Sequence, residues 1–169
     1  MQRDGYQLAE LNVAHLVAPR DDARVAGFMT AIDRINRLGM RAPGFVWMLE
    51  GSGGGDVDPR HASITEDPRY IINLTVWESV ATLEHFVWNT VHGQFYDRRG
   101  EWFEGLDAHH LVMWWVAEGH RPTLGEALDR LAHLREHGDS DHAFGWRHLP
   151  EATVWRSRTV SGVAGGMVK

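Results

Sequence analysis

Apolar residues recur along the chain at two spacings, and the spacing separates strands from helices. Residues 7–17 alternate, with Leu11, Val13 and Val17 apolar and His15 in their row, and predict a strand. Pro19, Asp21 and Asp22 end it. In 23–38 the residues Val25, Phe28, Met29, Ile32, Ile35 and Leu38 follow the helical repeat, and Gly39 is a natural stop. Pro43 and Gly44 turn the chain into a short apolar strand at 45–49, and Pro68 precedes another at 70–77. Ser79 is a good N-cap for a long helix, whose Val80, Leu83, Phe86, Val87 and Val91 share one side. Gly93 and Gly100 are the places where that helix is expected to bend or break. A further strand is predicted within 106–117. Thr123 and Glu126 then have the spacing of a capping box for a helix to His137, with Leu124, Leu128, Leu131 and Leu134 on one side. Gly138 stops it, and the segment from Ala143 to Pro150 can add a short extended piece.

The order is strand, helix, strand, strand, helix, strand, then an extra C-terminal helix. That is the split βαβ, ferredoxin-like arrangement of the α+β class, with an antiparallel sheet and helices on one face. The later strands look apolar on both faces. Ile72, Leu74 and Val76 oppose Ile71 and Trp77, and Val112, Trp114 and Val116 oppose Leu111, Met113 and Trp115. A sheet with one solvated face should alternate cleanly. A second apolar face needs a second cover, and the simplest is the same sheet of another copy, a homodimeric barrel. Trp114 or Trp115 is then expected at the interface. Residues 1–156 read as one domain, and 157–169 as a flexible tail, native or appended.

Composition narrows the function classes. A net charge of −6 without a basic block speaks against nucleic acid. No run is long enough to span a bilayer, and the N-terminal residues lack a signal pattern, so a cytoplasmic protein is expected. The absence of cysteine removes disulfides, thiolate nucleophiles and thiolate metal sites. The Gly-rich stretch 51–61 lacks the Gly-Lys-Ser/Thr ending of a phosphate loop, so it reads as a solvent loop or a flap over a pocket.

With 11 histidines in the chain, histidine is the main acid–base or ligating group on offer. Trp88, His92, Tyr96 and Arg99 recur every three or four residues beside the apolar side of the 79–105 segment, with His85 near them. Such a stripe can line a small-molecule pocket, and it can equally be a half-buried flank packed for structure alone. In the first reading His92 is the candidate acid or base and Arg99 stabilises negative charge, while Trp88, Tyr96, His85 and Trp102 contact the substrate. Arg98, Arg99 and Glu101 offer either carboxylate recognition or a surface ion pair. His109 and His110, adjacent on a strand, point to opposite faces and do not readily share a metal. His120 reads as a turn residue, and His133 and His137 lack the Glu of a zinc motif. No resident metal is expected.

The segments WESVATLEHFVW, VHGQFYDRRGEWF and LVMWWVAEGHRPTLGEALDRLAHLREHG, with AFGW after them, resemble the bacterial family called domain of unknown function 3291 (DUF3291). The resemblance covers roughly residues 8–150. It implies membership of the dimeric α+β barrel superfamily, which includes cofactor-free antibiotic-biosynthesis monooxygenases, haem-degrading enzymes and small-molecule-binding domains. The expected function is then an enzyme acting on an aromatic or apolar metabolite, by oxygenation or rearrangement and without a cofactor. The alternatives are a haem enzyme with His92 as axial ligand, and a non-catalytic ligand-binding module. The fold alone does not choose among them.

Overall fold

The computed structural model describes residues 2–51, 67–105 and 109–160. The expected loop or flap at 51–61 lies, apart from Gly51, outside them, as does the end of the expected tail. Four strands form one antiparallel sheet: β1 (Tyr6–His15), β2 (Phe45–Met48), β3 (Tyr70–Trp77) and β4 (Leu111–Ala117). Their order is β2-β3-β1-β4, with α1 (Ala26–Gly39) between β1 and β2. Helices α2 (Val80–Asn89) and α3 (Val91–Asp97) lie between β3 and β4. This is the ferredoxin-like topology that the alternation predicts. Glu10 of β1 is paired with Thr75 and Met113, and Asn12 with Asn73 and Leu111.

The segment predicted as one long helix breaks at Thr90, ahead of both glycines. Ser79 and Thr82 cap its start reciprocally, each side chain accepting from the other's backbone N–H. Thr90 is extended; its hydroxyl donates to the Phe86 carbonyl at 2.6 Å and accepts from the His92 N–H at 3.2 Å. One side chain thus closes α2 and opens α3. A threonine that satisfies both ends makes the break cheaper than glycine's freedom alone would.

Helices α1, α2 and α3 cover one sheet face. The opposite face, Ala9, Leu11, Val13, Ile72, Leu74, Val76, Val112, Trp114 and Val116, is buried within the single chain. Its cover is the chain's own α4 (Leu124–His137), through Leu124, Ala127, Leu131 and Leu134. Trp114 is 0% exposed, and its indole donates to Glu126 Oε1 at 3.1 Å. Trp115 lies on the other face, half-buried, with its ring 6.0 Å from Phe144. The apolar second face therefore needs no second copy, and the argument for a dimer from it falls. The expected capping box of α4 is half made: Thr123 accepts from the Glu126 N–H. The Glu126 carboxylate instead holds Trp114, His120 and Arg130.

The extended piece near Ala143 is a single bridge, in which Phe144 and Met113 exchange backbone hydrogen bonds at the β4 edge. The expected tail boundary at 157 falls inside a helix, α5 (Thr153–Val160). Its first turn is held by Glu84, 2% exposed on α2, which accepts from the Trp155 N–H at 2.8 Å. A carboxylate at a helix N-terminus satisfies donors that the helix leaves unpaired. Trp155 is buried beside Leu149 and Ala152, so α5 belongs to the domain. No described helix is long and apolar enough to cross a membrane.

Candidate functional site

A cavity of about 540 Å³ lies between the sheet and the helices α1 to α3, within the size range of small-molecule sites. Its apolar walls include Phe28, Ile32 and Ile35 of α1, Leu83 and Phe86 of α2, and Phe95 of α3. Trp88, His92, Tyr96, Arg99 and Trp102 all line it. His85 does not. It is exposed, with Nδ1 3.5 Å from the Asn89 amide. On an unbroken helix His85 would sit two turns below His92 on the same side. The break at Thr90 resets that rotation and leaves His85 outside.

His92 Nδ1 lies 3.2 Å from the Val87 carbonyl. A carbonyl only accepts, so Nδ1 carries the proton and Nε2 presents its lone pair. The protein packed around the ring pushes the imidazole pKa below its ordinary value, against a smaller opposite effect of the Val87 carbonyl. His92 is therefore neutral near pH 7, and among the described residues Nε2 has no partner.

Arg98 and Arg99 divide between surface and cavity. Arg98 is exposed and pairs with Glu101 at 2.7 Å. Arg99 is half-buried, donates to the Tyr96 carbonyl at 2.9 Å and stands 4.2 Å above the Tyr96 ring. Among the described residues it has no carboxylate partner. Burial raises the Tyr96 pKa, so the phenol keeps its proton. Trp88 meets Tyr96 edge-on at 4.8 Å. Trp102 stacks on Phe95 at 5.7 Å and fixes the end of the helical wall.

The sheet side of the cavity carries residues that the stripe argument missed. Glu10, Asn12, Asn73 and Thr75 all line it. Glu10 is only 4% exposed. Its Oε1 accepts from Asn12 Nδ2 at 2.8 Å and its Oε2 from Thr75 Oγ1 at 3.0 Å. Thr75 Oγ1 in turn accepts from the Trp77 indole at 3.0 Å. Burial outweighs these bonds and pushes the Glu10 carboxyl up to about 7. The group can thus gain or lose a proton near neutrality, as an acid–base residue must.

A signal for this floor is present in the sequence. Glu10 and Asn12 alternate with Leu11 and Val13, and Asn73 and Thr75 alternate with Ile72, Leu74 and Val76. Two polar pairs facing each other on a helix-covered face are not a packing choice.

His110 also lines the cavity, while several other histidines are engaged elsewhere. His15 bridges Asp67 at 2.7 Å and Glu104 at 2.6 Å. Those carboxylates raise its pKa, Glu104 most. His120 pairs with Glu126 at 2.9 Å. His133 lies between His137 and His142, at ring distances of 4.6 and 4.8 Å. Among the described residues no cluster of three or more His, Asp or Glu is arranged to hold a metal ion.

Some solved structures are similar to this chain. A protein from Shewanella oneidensis matches with a TM-score of 0.48 and 9% identity, over 68% of this chain and 95% of its own. A protein from Pseudomonas aeruginosa matches at 0.46 and 12%, over 70% and 100%. A third, named "Putative antibiotic biosynthesis monooxygenase from Nitrosomonas europaea", matches at 0.46 and 10%, over 73% and 100%. No curated protein matches the chain. The model of the family described as Domain of unknown function (DUF3291) matches residues 7–160, and the chain belongs to that family.

Proposed function

We propose that the protein binds a small, largely aromatic metabolite between its sheet and its helices and moves a proton on it as part of an oxygenation or rearrangement. The observation that carries this reading is one cavity with aromatic walls, two proton-handling groups on opposite sides, and a cation without a carboxylate partner among the described residues. Neutral His92 accepts a proton at Nε2, or buried Glu10 accepts it and becomes the acid. Arg99 then holds the oxyanion that forms, in surroundings where a charge is poorly screened. Direct attack of dioxygen on such an anion is what the resemblance to cofactor-free monooxygenases implies.

Intrinsic fluorescence tests the binding, because Trp77, Trp88 and Trp102 line the cavity. Aromatic metabolites should quench it saturably, and Val87→Trp, which fills the cavity, should abolish the effect. Equal binding by that variant removes the assignment. On a ligand that is turned over, His92→Ala should cut the rate by roughly 10²–10⁴-fold with the fold intact. Binding with no turnover across the series would leave a ligand-binding module.

One observation favours haem as a second reading. An imidazole that donates Nδ1–H to a backbone carbonyl keeps Nε2 oriented as an axial ligand would. His92 would hold the iron and Arg99 could pair with a propionate; the group would supply electron transfer or oxygen activation. A saturable Soret band on titration with hemin, weakened in His92→Ala, is the expected result, and no saturable change removes the reading. The homodimer implied by the resemblance is also part of the proposal. Light scattering that shows a monodisperse monomer at micromolar concentration removes it.

A further inference from the structure

Glu10 and Arg99 stand on opposite walls of the cavity. On the sheet side the two Glu10 oxygens each already take one internal hydrogen bond. On the helix side stands the Arg99 guanidinium, which donates to the Tyr96 carbonyl and has no carboxylate partner among the described residues. The His92 Nε2 lone pair, also unpartnered among the described residues, shares the helix wall with Arg99.

We infer that the cavity takes an aromatic molecule with a proton-donating hydroxyl at one end and a carboxylate at the other. The hydroxyl faces Glu10, and the carboxylate faces Arg99. This rests on the small-molecule reading above and names the substrate class for it. The opposite orientation would set the ligand's carboxylate against the Glu10 carboxyl in a poorly hydrated space, where like charges repel strongly. A ligand with only apolar surface would fill the cavity and satisfy neither wall.

The test uses calorimetric titration of the whole chain with four probes: a hydroxynaphthoate, its methyl ether, naphthol and naphthalene. The ether removes the donor, naphthol removes the carboxylate, and naphthalene removes both. The hydroxynaphthoate should bind roughly 10–100-fold more tightly than either singly altered probe, the range expected of a hydrogen bond to a charged group. Arg99→Met should erase the carboxylate preference and leave the hydroxyl preference. Glu10→Met should do the reverse; if it fails to fold, Glu10→Gln should at least weaken the hydroxyl preference, and the wild-type probe series decides alone.

If all four probes bind alike, the two-ended assignment is overturned while the small-molecule reading stands. A carboxylate preference that survives Arg99→Met overturns it equally. If not even naphthalene binds saturably, the small-molecule reading fails, and this assignment fails with it.

Discussion

On the α4 side of the sheet the strands present Ala9, Leu11, Val13, Ile72, Leu74, Val76, Val112, Trp114 and Val116. The alternate residues of the same strands, on the α1–α3 side, include Glu10, Asn12, Asn73 and Thr75. Both sides are covered by helices. Burial alone therefore does not explain the polar set, since the first side shows that this sheet can be packed dry. The difference teaches that strand alternation separates two tasks. Odd-numbered positions of β1 build stability against α4. Glu10, Asn12 and Ala14 line a cavity instead, and the Glu10 carboxyl is held at a proton affinity that packing would never require.

The contrast can be broken most directly from the dry side. Trp114→Ala removes the largest side chain from that face and should destabilise the protein by about 3–5 kcal/mol in urea unfolding. Ligand affinity of the folded fraction should stay as it was. A loss below about 1 kcal/mol would mean that α4 is a loose cover, and the division of tasks would fail.

The cavity side should show itself in pH dependence. The Glu10 carboxyl is raised from 4.5 to about 7 in the folded protein, so the folded state keeps a proton that the unfolded chain releases over that interval. The contribution to stability is fully present below the lower value, declines as pH rises toward the upper one, and is flat beyond it. The decline sums to roughly 3 kcal/mol. It should appear as the difference between wild type and Glu10→Gln, since His15, Asp67 and Glu104 titrate in both. Parallel stability curves for the two proteins would place Glu10 in an ordinary carboxylate environment.

The smallest effect sharpens the boundary of the site. Arg98 and Glu101 are both exposed, and an exposed pair contributes little. Arg98→Gln should leave the unfolding midpoint and ligand binding unchanged, whereas Arg99→Met alters the choice of ligand. Equal effects from the two neighbours would show that charge near the cavity mouth matters, rather than a guanidinium inside it.

The sheet and its order were legible because the first strand alternates, the later ones are short apolar runs, and glycine or proline marks most of the ends. Five of the six residues assigned to the site on the sequence pattern do line the cavity. His85 failed because a helical wheel assumes unbroken rotation, and Thr90 interrupts it. The polar floor was masked by the apolar residues of β3, although Asn73 and Thr75 stand between them in plain alternation. The cover by α4 was harder to read. Its leucines announce an amphipathic helix, but periodicity does not say which of two apolar faces a helix will meet. Helix α5 left almost no trace, for Thr153–Val160 has a weak amphipathic pattern and depends on Glu84, a residue about seventy positions earlier.

Where α4 lies, the second face of the sheet is closed by an intramolecular contact rather than by an encounter between molecules. Such a contact does not dilute away. Burial of Leu11, Leu74 and Trp114 is complete within one chain, so the stability of this core does not follow mass action in protein concentration. A dimer, if the protein forms one, would be free to exchange subunits without exposing the sheet.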